Sequence, residues 1–198
     1  MFDRAAPEGR TVWVVEPTST AVVLGSTQPD SIVVPGTPVV RRRSGGGTVL
    51  VEPDALLWVD AFVPADDALM EDDVGRAFAW LGDAWSAALG GLGIAGAPPH
   101  RGPLVATPWS TLVCFAGLGP GEVTIGGAKV VGMAQRRTRA GALFQSAALL
   151  EWRPDRLLDR LVLSEDDRRR GATELAAVAR PVGVDPGDLV AALVERLP

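Results

Sequence analysis

Runs of alternating apolar and polar positions divide this chain into strands before they allow a helix. Val12–Val15 and Ala21–Gly25 are β-branched runs separated by Glu16-Pro17-Thr18, which predicts a hairpin. A loop-like stretch from Pro29 to Pro38 holds a short apolar run at Ile32–Val34, and strands follow at Val39–Arg41, Thr48–Val51 and Leu56–Val63. Asp66 to Asp73 is acidic, which suits a helix start, where negative charge meets the positive end of the dipole. From there Val74, Phe78, Leu81, Trp85, Ala88 and Leu89 recur at helical spacing until Gly90-Gly91 ends the run. Such a stripe belongs to a core.

After a Pro/Gly-rich loop from Ala95 to Pro108, strands are predicted at Thr111–Phe115, Glu122–Ile125 and Lys129–Met133, the last two joined by a tight turn at Gly126-Gly127. Arg136 to Gly141 reads as an exposed basic loop and Ala142–Trp152 as a long strand. Pro154, a favoured first-turn residue, opens a short helix through Leu161. Asp166 to Arg170 reads as a solvated helix face, and Pro186 to Leu197 as a closing helix. Residues 1–10 form a short polar segment that is expected to be loosely held. With no repeat and no dividing linker, the order strands, helix, strands, helices predicts one two-layer α+β domain over residues 1–198.

Composition narrows the class. At 47% apolar and 22% charged residues the chain is globular, not disordered. A net charge of -5 argues against a nucleic-acid partner, although arginine clusters at 41–43, 136–139 and 168–170 leave room for local anion sites. No apolar run reaches the length of a membrane span, and Met1-Phe2-Asp3-Arg4 does not open a signal peptide, so a cytoplasmic protein without a membrane partner is expected. Cys114 and His100 are each the one residue of their type. A disulfide framework and a Cys- or His-cluster metal centre are therefore excluded, and no metal site is expected.

Two segments carry candidate chemistry. Gly126 to Gln135 contains Lys129, the one lysine among 19 basic residues. A lone ammonium suits a position that wants a compact point charge on a flexible stem, where arginine's planar fork will not serve. A surface lysine at a hairpin end is the plainer alternative. The second segment is Arg41-Arg42-Arg43-Ser44-Gly45-Gly46-Gly47-Thr48-Val49. Three glycines between strands let the backbone approach a ligand and turn its N–H groups toward an anion, and the arginines ahead add charge. Read alone, this is an anion-binding loop or a flexible hairpin connection, and it lacks the Gly-Lys-[Ser/Thr] ending of a P-loop.

Taken together, the two segments resemble the biotin/lipoate protein ligase superfamily, in its lipoate ligase and octanoyltransferase branch. That family carries Arg-Arg-x-[Ser/Thr]-Gly-Gly-Gly-x-Val, matched from Arg41 to Val49, and Gly-x-Lys-[hydrophobic]-x-Gly-x-Ala-Gln, matched by Gly127, Lys129, Val130, Gly132, Ala134 and Gln135. The resemblance implies a mixed, mainly antiparallel sheet flanked by helices, the fold class of class II synthetase-like catalytic domains. It implies an acyl chain in a tunnel, with Lys129 stabilising charge at the acyl carbonyl. Arg41, Arg42, Ser44, Gly45, Gly46, Gly47, Gly132, Ala134 and Gln135 would line the acyl or acyl-adenylate site. The implied activity is octanoyl or lipoyl attachment to a lysine of a lipoyl-carrier domain, in a 2-oxoacid dehydrogenase subunit or a glycine cleavage H-type protein. An acyl carrier protein is a possible donor, and ATP and Mg are needed only by a ligase.

Cys114 supports two readings. In an apolar Val-Cys-Phe run it is a small core residue. Some transferases of this family use an acyl-thioester cysteine eight residues before an acidic residue, and Cys114 precedes Glu122 by eight, with Lys129 seven further on. A thiolate there needs a neighbouring positive group, for which Lys129 is the expected source. The chain also departs from the family. Val51 and Gln145-Ser146-Ala147 stand where many members have a histidine and His-Gly-[Ser/Thr], and His100 replaces neither. The segment before the first strand is short and no accessory C-terminal domain is expected. These departures bear first on adenylation, and keep open three readings: a thioester-dependent transferase, an ATP-dependent ligase and a non-catalytic acyl- or protein-binding relative.

Overall fold

Among the residues described by the computed structural model, 7–198, strands fall into two sheets. In chain order they are β1 (Thr11–Val15), β2 (Ala21–Leu24), β3 (Val39–Arg41), β4 (Val49–Val51), β5 (Leu56–Pro64), β6 (Val123–Ile125), β7 (Ala128–Thr138) and β8 (Gly141–Leu149). The larger sheet is antiparallel in the order β1-β5-β8-β7-β6. The smaller runs β3-β2-β4, with β2 and β3 parallel and β2 and β4 antiparallel. The helices are α1 (Ala79–Gly91), α2 (Pro154–Leu158), α3 (Glu165–Leu175) and α4 (Pro186–Val194). This is the α+β, mainly antiparallel arrangement that the sequence implied.

Side-chain alternation along β5 explains how the layers stack. Leu57, Val59, Ala61 and Val63 face one core with α1 and α4, including Leu81, Trp85, Leu89, Leu189 and Leu193. Phe144 of β8 closes that layer edge-on against Phe78 and Trp80, at 5.7 and 5.2 Å between ring centroids. Leu56 and Trp58 point the other way, toward Val23, Val49 and Val51 of the small sheet. With both faces covered, every residue of β5 but the last is buried, as a strand between two packed layers must be. The candidate site lies on the small-sheet face.

Several expectations are corrected. β1 and β2 do not form a hairpin: β1 pairs with β5, and β2 lies in the other sheet. β1 alternates between exposed and covered positions while β2 is buried throughout, and a local turn signal cannot tell which sheet each strand completes. The Ile32–Val34 run is a 3-10 turn at Asp30–Ile32 followed by a bridge from Val33 to Leu161. Asp66 to Asp73 is turn, not helix: α1 starts at Ala79 after a 3-10 turn at Arg76–Phe78, and Val74 is exposed. The acidic residues still serve, because Asp73 Oδ1 accepts the N–H of Arg76 at 2.8 Å. That bond holds the Asp73 carboxyl below the usual aspartate range.

Thr111–Phe115 is not a strand either. It is a turn leading to a 3-10 segment at Cys114–Ala116, joined to Thr48 through Val113. Arg136 and Arg137 belong to β7 and not to a loop, since β7 keeps its pairing with β8 through Thr138. Arg137 donates to the carbonyls of Glu71 and Asp72, which absorbs the charge that suggested exposure. α2 stops at Leu158, and the 166–170 charges decorate α3, whose N-terminus Ser164 caps by accepting the N–H of Asp167. Of the polar segment 1–10, residues 1–6 lie outside the described residues; Arg10 is tied to Asp67 at 2.8 Å.

Candidate active site

The glycine loop is built to reach Cys114. Gly46 takes φ +100, a conformation that favours glycine, and a Cβ there would lie 2.8 Å from Arg42 Nη2. A Cβ on Gly47 would lie 2.7 Å from the backbone nitrogen of Cys114, while one on Gly45 would meet nothing within 4 Å. Thr48 and Cys114 then zip the two segments together: Thr48 N–H donates to Leu112 O at 2.7 Å, and Cys114 N–H donates to Thr48 O at 3.0 Å.

The arginines divide their work. Arg42 is buried beneath the loop and donates to Gly45 O and Gly47 O at 2.9 and 2.8 Å, with Cys114 Sγ 4.0 Å from Nη2. The cation beside the sulfur is thus Arg42. Lys129, the expected neighbour, binds the carbonyl of Cys114 and not its thiol. Arg41 turns away, donating to Gly25 O and Gln28 O and pairing with Asp30, so it braces the turn after β2.

Lys129 is held on every side. Its Nζ lies 2.7 Å from Glu122 Oε2 and 2.9 Å from the carbonyl oxygens of both Cys114 and Gly117. Those partners occupy all three N–H groups of an ammonium. Glu122 is itself fixed, accepting the N–H of Gly119 at 2.6 Å and of Met133 at 2.8 Å. The stem needs Gly132, where a Cβ would sit 3.2 Å from both Lys129 Cε and the Phe115 ring. Gly126 and Gly127, with φ +61 and +84, form the turn that starts β7 in this register.

A cavity of about 20 Å³ opens beside the sulfur, and its wall includes Arg42, Cys114, Gly132, Ala134 and Gln145. It holds about one water. Lys129 does not reach the wall; Phe115 lines it, with its ring centroid 5.1 Å from Nζ. Ser44 is buried and donates to Gln145 Oε1 at 2.8 Å, and Gln145 Nε2 donates to Asp60 Oδ1 at 3.2 Å. Trp58 Nε1 donates to the same oxygen at 2.7 Å. The structure therefore brings together Arg42, Ser44, Gly46, Gly47, Cys114, Gly132, Ala134 and the Lys129 clamp. It leaves Gln135 on the opposite face, donating to Val74 O, and Gly45 at the exposed rim of the loop. His100 is engaged with Pro103 O in its own loop.

Sequence reasoning missed Asp60 and Trp58. An aspartate in the middle of the apolar run Leu56–Val63 was the available signal, since a buried carboxylate needs partners. Glu122 appeared only as a spacing.

Residues 2–185 match the family model described as the lipoyl protein ligase A/B catalytic domain. The chain belongs to this family. None of the curated proteins compared by sequence matches it. Among solved structures, the bipartite lipoate protein ligase of Thermoplasma acidophilum is similar at TM-score 0.73 and 20% identity, over 94% of this chain and 69% of that one. A lipoate-protein ligase A bound with ATP is similar at 0.68 and 19%, over 94% and 70%. P. falciparum LipL1 in complex with lipoate is similar at 0.61 and 14%, over 95% and 46%. At these identities the structures establish a shared fold. Val51 and Gln145 lie on the small-sheet face of this fold. No helix among the described residues is long and apolar enough to cross a membrane.

Proposed function

We propose that this lipoyl ligase-family domain transfers an octanoyl or lipoyl group from a thioester donor, such as an acyl carrier protein, to a lysine of a lipoyl-carrier domain. The observation that carries the reading is Cys114: half-buried, at the cavity wall, with Arg42 at its sulfur and the glycine loop packed against its backbone. The Cys114 sulfur gives up its proton and attacks the donor carbonyl; the enzyme thioester bond forms, the donor C–S bond breaks, and the donor sulfur leaves as a thiol after taking up that proton. The neutral acceptor amine then attacks the enzyme thioester; the amide C–N bond forms, the C–S bond to Cys114 breaks, and the proton lost by the amine returns to the Cys114 sulfur. Arg42, fixed by the carbonyls of Gly45 and Gly47, places a positive charge 4.0 Å from the Cys114 sulfur. Lys129 Nζ, bonded to Glu122 and two peptide carbonyls behind Phe115, serves the acyl oxygen only once it releases one of those carbonyls, and that loss offsets part of the stabilisation it then gives. The acceptor class is the one named with the T. acidophilum ligase, which was analysed with its E2 lipoyl domain as parts of one lipoylation system.

ATP-dependent ligation of free lipoate is the second reading, supported by a similar structure bound with ATP and another bound with lipoate. One set of assays separates the two. The protein is mixed with a lipoyl domain and either an octanoyl-carrier thioester or lipoate with Mg and ATP, and product mass is read. Modification without ATP, lost in Cys114→Ala and kept in Val194→Ala, an exposed position at the end of α4, supports the thioester route. Modification only with ATP supports the ligase. Acyl binding without product from either donor sinks both in favour of a binding protein.

A further inference from the structure

Trp58 stands between two spaces on the site face. On its β8 side is the small cavity beside Cys114, whose wall Trp58 shares with Ala147, its cross-strand partner. On its β1 side is a second cavity of about 180 Å³, whose wall it shares with its other cross-strand partner, Val15. β4 repeats the division two residues apart, with Val49 in the first wall and Val51 in the second. The larger cavity is lined by Ala21, Val23 and Val40 as well, and its charged lining residue, Glu16, is exposed at the surface. The indole is held by its one N–H, donated to Asp60 Oδ1.

The volumes decide what each space can take. Room for one water beside Cys114 cannot hold a medium-length acyl chain, whereas the larger, mainly apolar cavity can. We infer that Trp58 is a specificity-determining residue: an acyl chain carried on Cys114 displaces the indole and runs into the cavity beyond it, whose length sets the chain accepted. The inference rests on the acyl-transfer reading above. Because Trp58 presents a large flat ring between Ala147 and Val15, its removal joins the two spaces. Adding side-chain volume at Ala21 shortens the far one.

The test compares wild type, Trp58→Ala and Ala21→Leu with hexanoyl-, octanoyl-, decanoyl- and dodecanoyl-carrier thioesters and a lipoyl domain. Binding of the free fatty acids is measured in parallel by equilibrium dialysis, and folding by circular dichroism. Trp58→Ala is expected to raise the dodecanoyl-to-octanoyl ratio about tenfold or more, and Ala21→Leu to shift preference toward hexanoyl by a similar factor, as methylene discrimination in an apolar pocket allows. If wild type transfers octanoyl groups and both folded variants keep its chain-length profile, the acyl reading stands and the role of Trp58 is overturned. If wild type neither binds nor transfers any chain, the acyl reading fails and this inference with it. Should Trp58→Ala not fold, Ala21→Leu decides alone.

Discussion

Nζ of Lys129 lies 2.7 Å from Oε2 of Glu122, and the two side chains keep only 3% and 7% of their surface exposed. A buried charge left without its partner is costly, by about 3–5 kcal/mol. Glu122→Gln and Lys129→Met should each destabilise the fold on that scale in urea titrations. The double variant should lose clearly less than the sum, because the second change removes the orphaned charge. Additive losses would mean that the pair is not coupled.

The glycines of the loop should separate by position. Gly47→Ala forces a Cβ against the Cys114 backbone, and Gly46→Ala must adopt a positive φ beside Arg42. Each should cost about 1–3 kcal/mol. Gly45→Ala points into open space and should stay within about 0.5 kcal/mol of wild type. Thermal melts of the three variants check this ranking.

Ser44→Ala removes the hydroxyl that Gln145 Oε1 accepts across 101 residues of chain. A buried carbonyl oxygen left without its donor costs about 1–3 kcal/mol. A loss of that size in chemical denaturation, absent in a Gln145→Leu background, would show that the bond ties the glycine loop to β8.

Acid should expose the role of Asp73. Its carboxyl is held below the ordinary range chiefly by the N–H of Arg76, so its contribution is present above the unfolded aspartate value of about 3.9 and fades as pH falls through the lower folded value. Asp73→Ala should therefore melt below wild type at pH 7. The gap should narrow as the pH drops through 4 and close at more acid pH. A gap independent of pH would assign the loss to something other than the carboxylate.

Much of the site was written locally in the chain. The Gly126-Gly127 turn and the glycine run between β3 and β4 needed only neighbouring residues to be read, whereas Lys129, expected at an acyl site, is clamped by Glu122 and two carbonyls. What stayed hidden depends on who meets whom across the fold. Whether Cys114 faces Lys129 or Arg42 is set by the meeting of residues 44–48 with 112–114, and no spacing encodes it. Arg41 and Gln135 sit inside the right motifs yet point elsewhere, because strand alternation and a nearby turn claim them. The missed hairpin has the same cause: β1 and β2 are neighbours in sequence but complete different sheets.

The backbone bonds joining Thr48 to Leu112 and Cys114 also say when this site comes into being. They link stretches more than sixty residues apart, and contacts of such separation form late because the intervening chain must first be closed into a loop. The thiol meets its guanidinium only once the stretch around Thr48 has closed on residues 112–114. A chain arrested during folding, or cut between positions 50 and 110 so that the pieces part, carries every residue of the motif and none of the assembled apparatus.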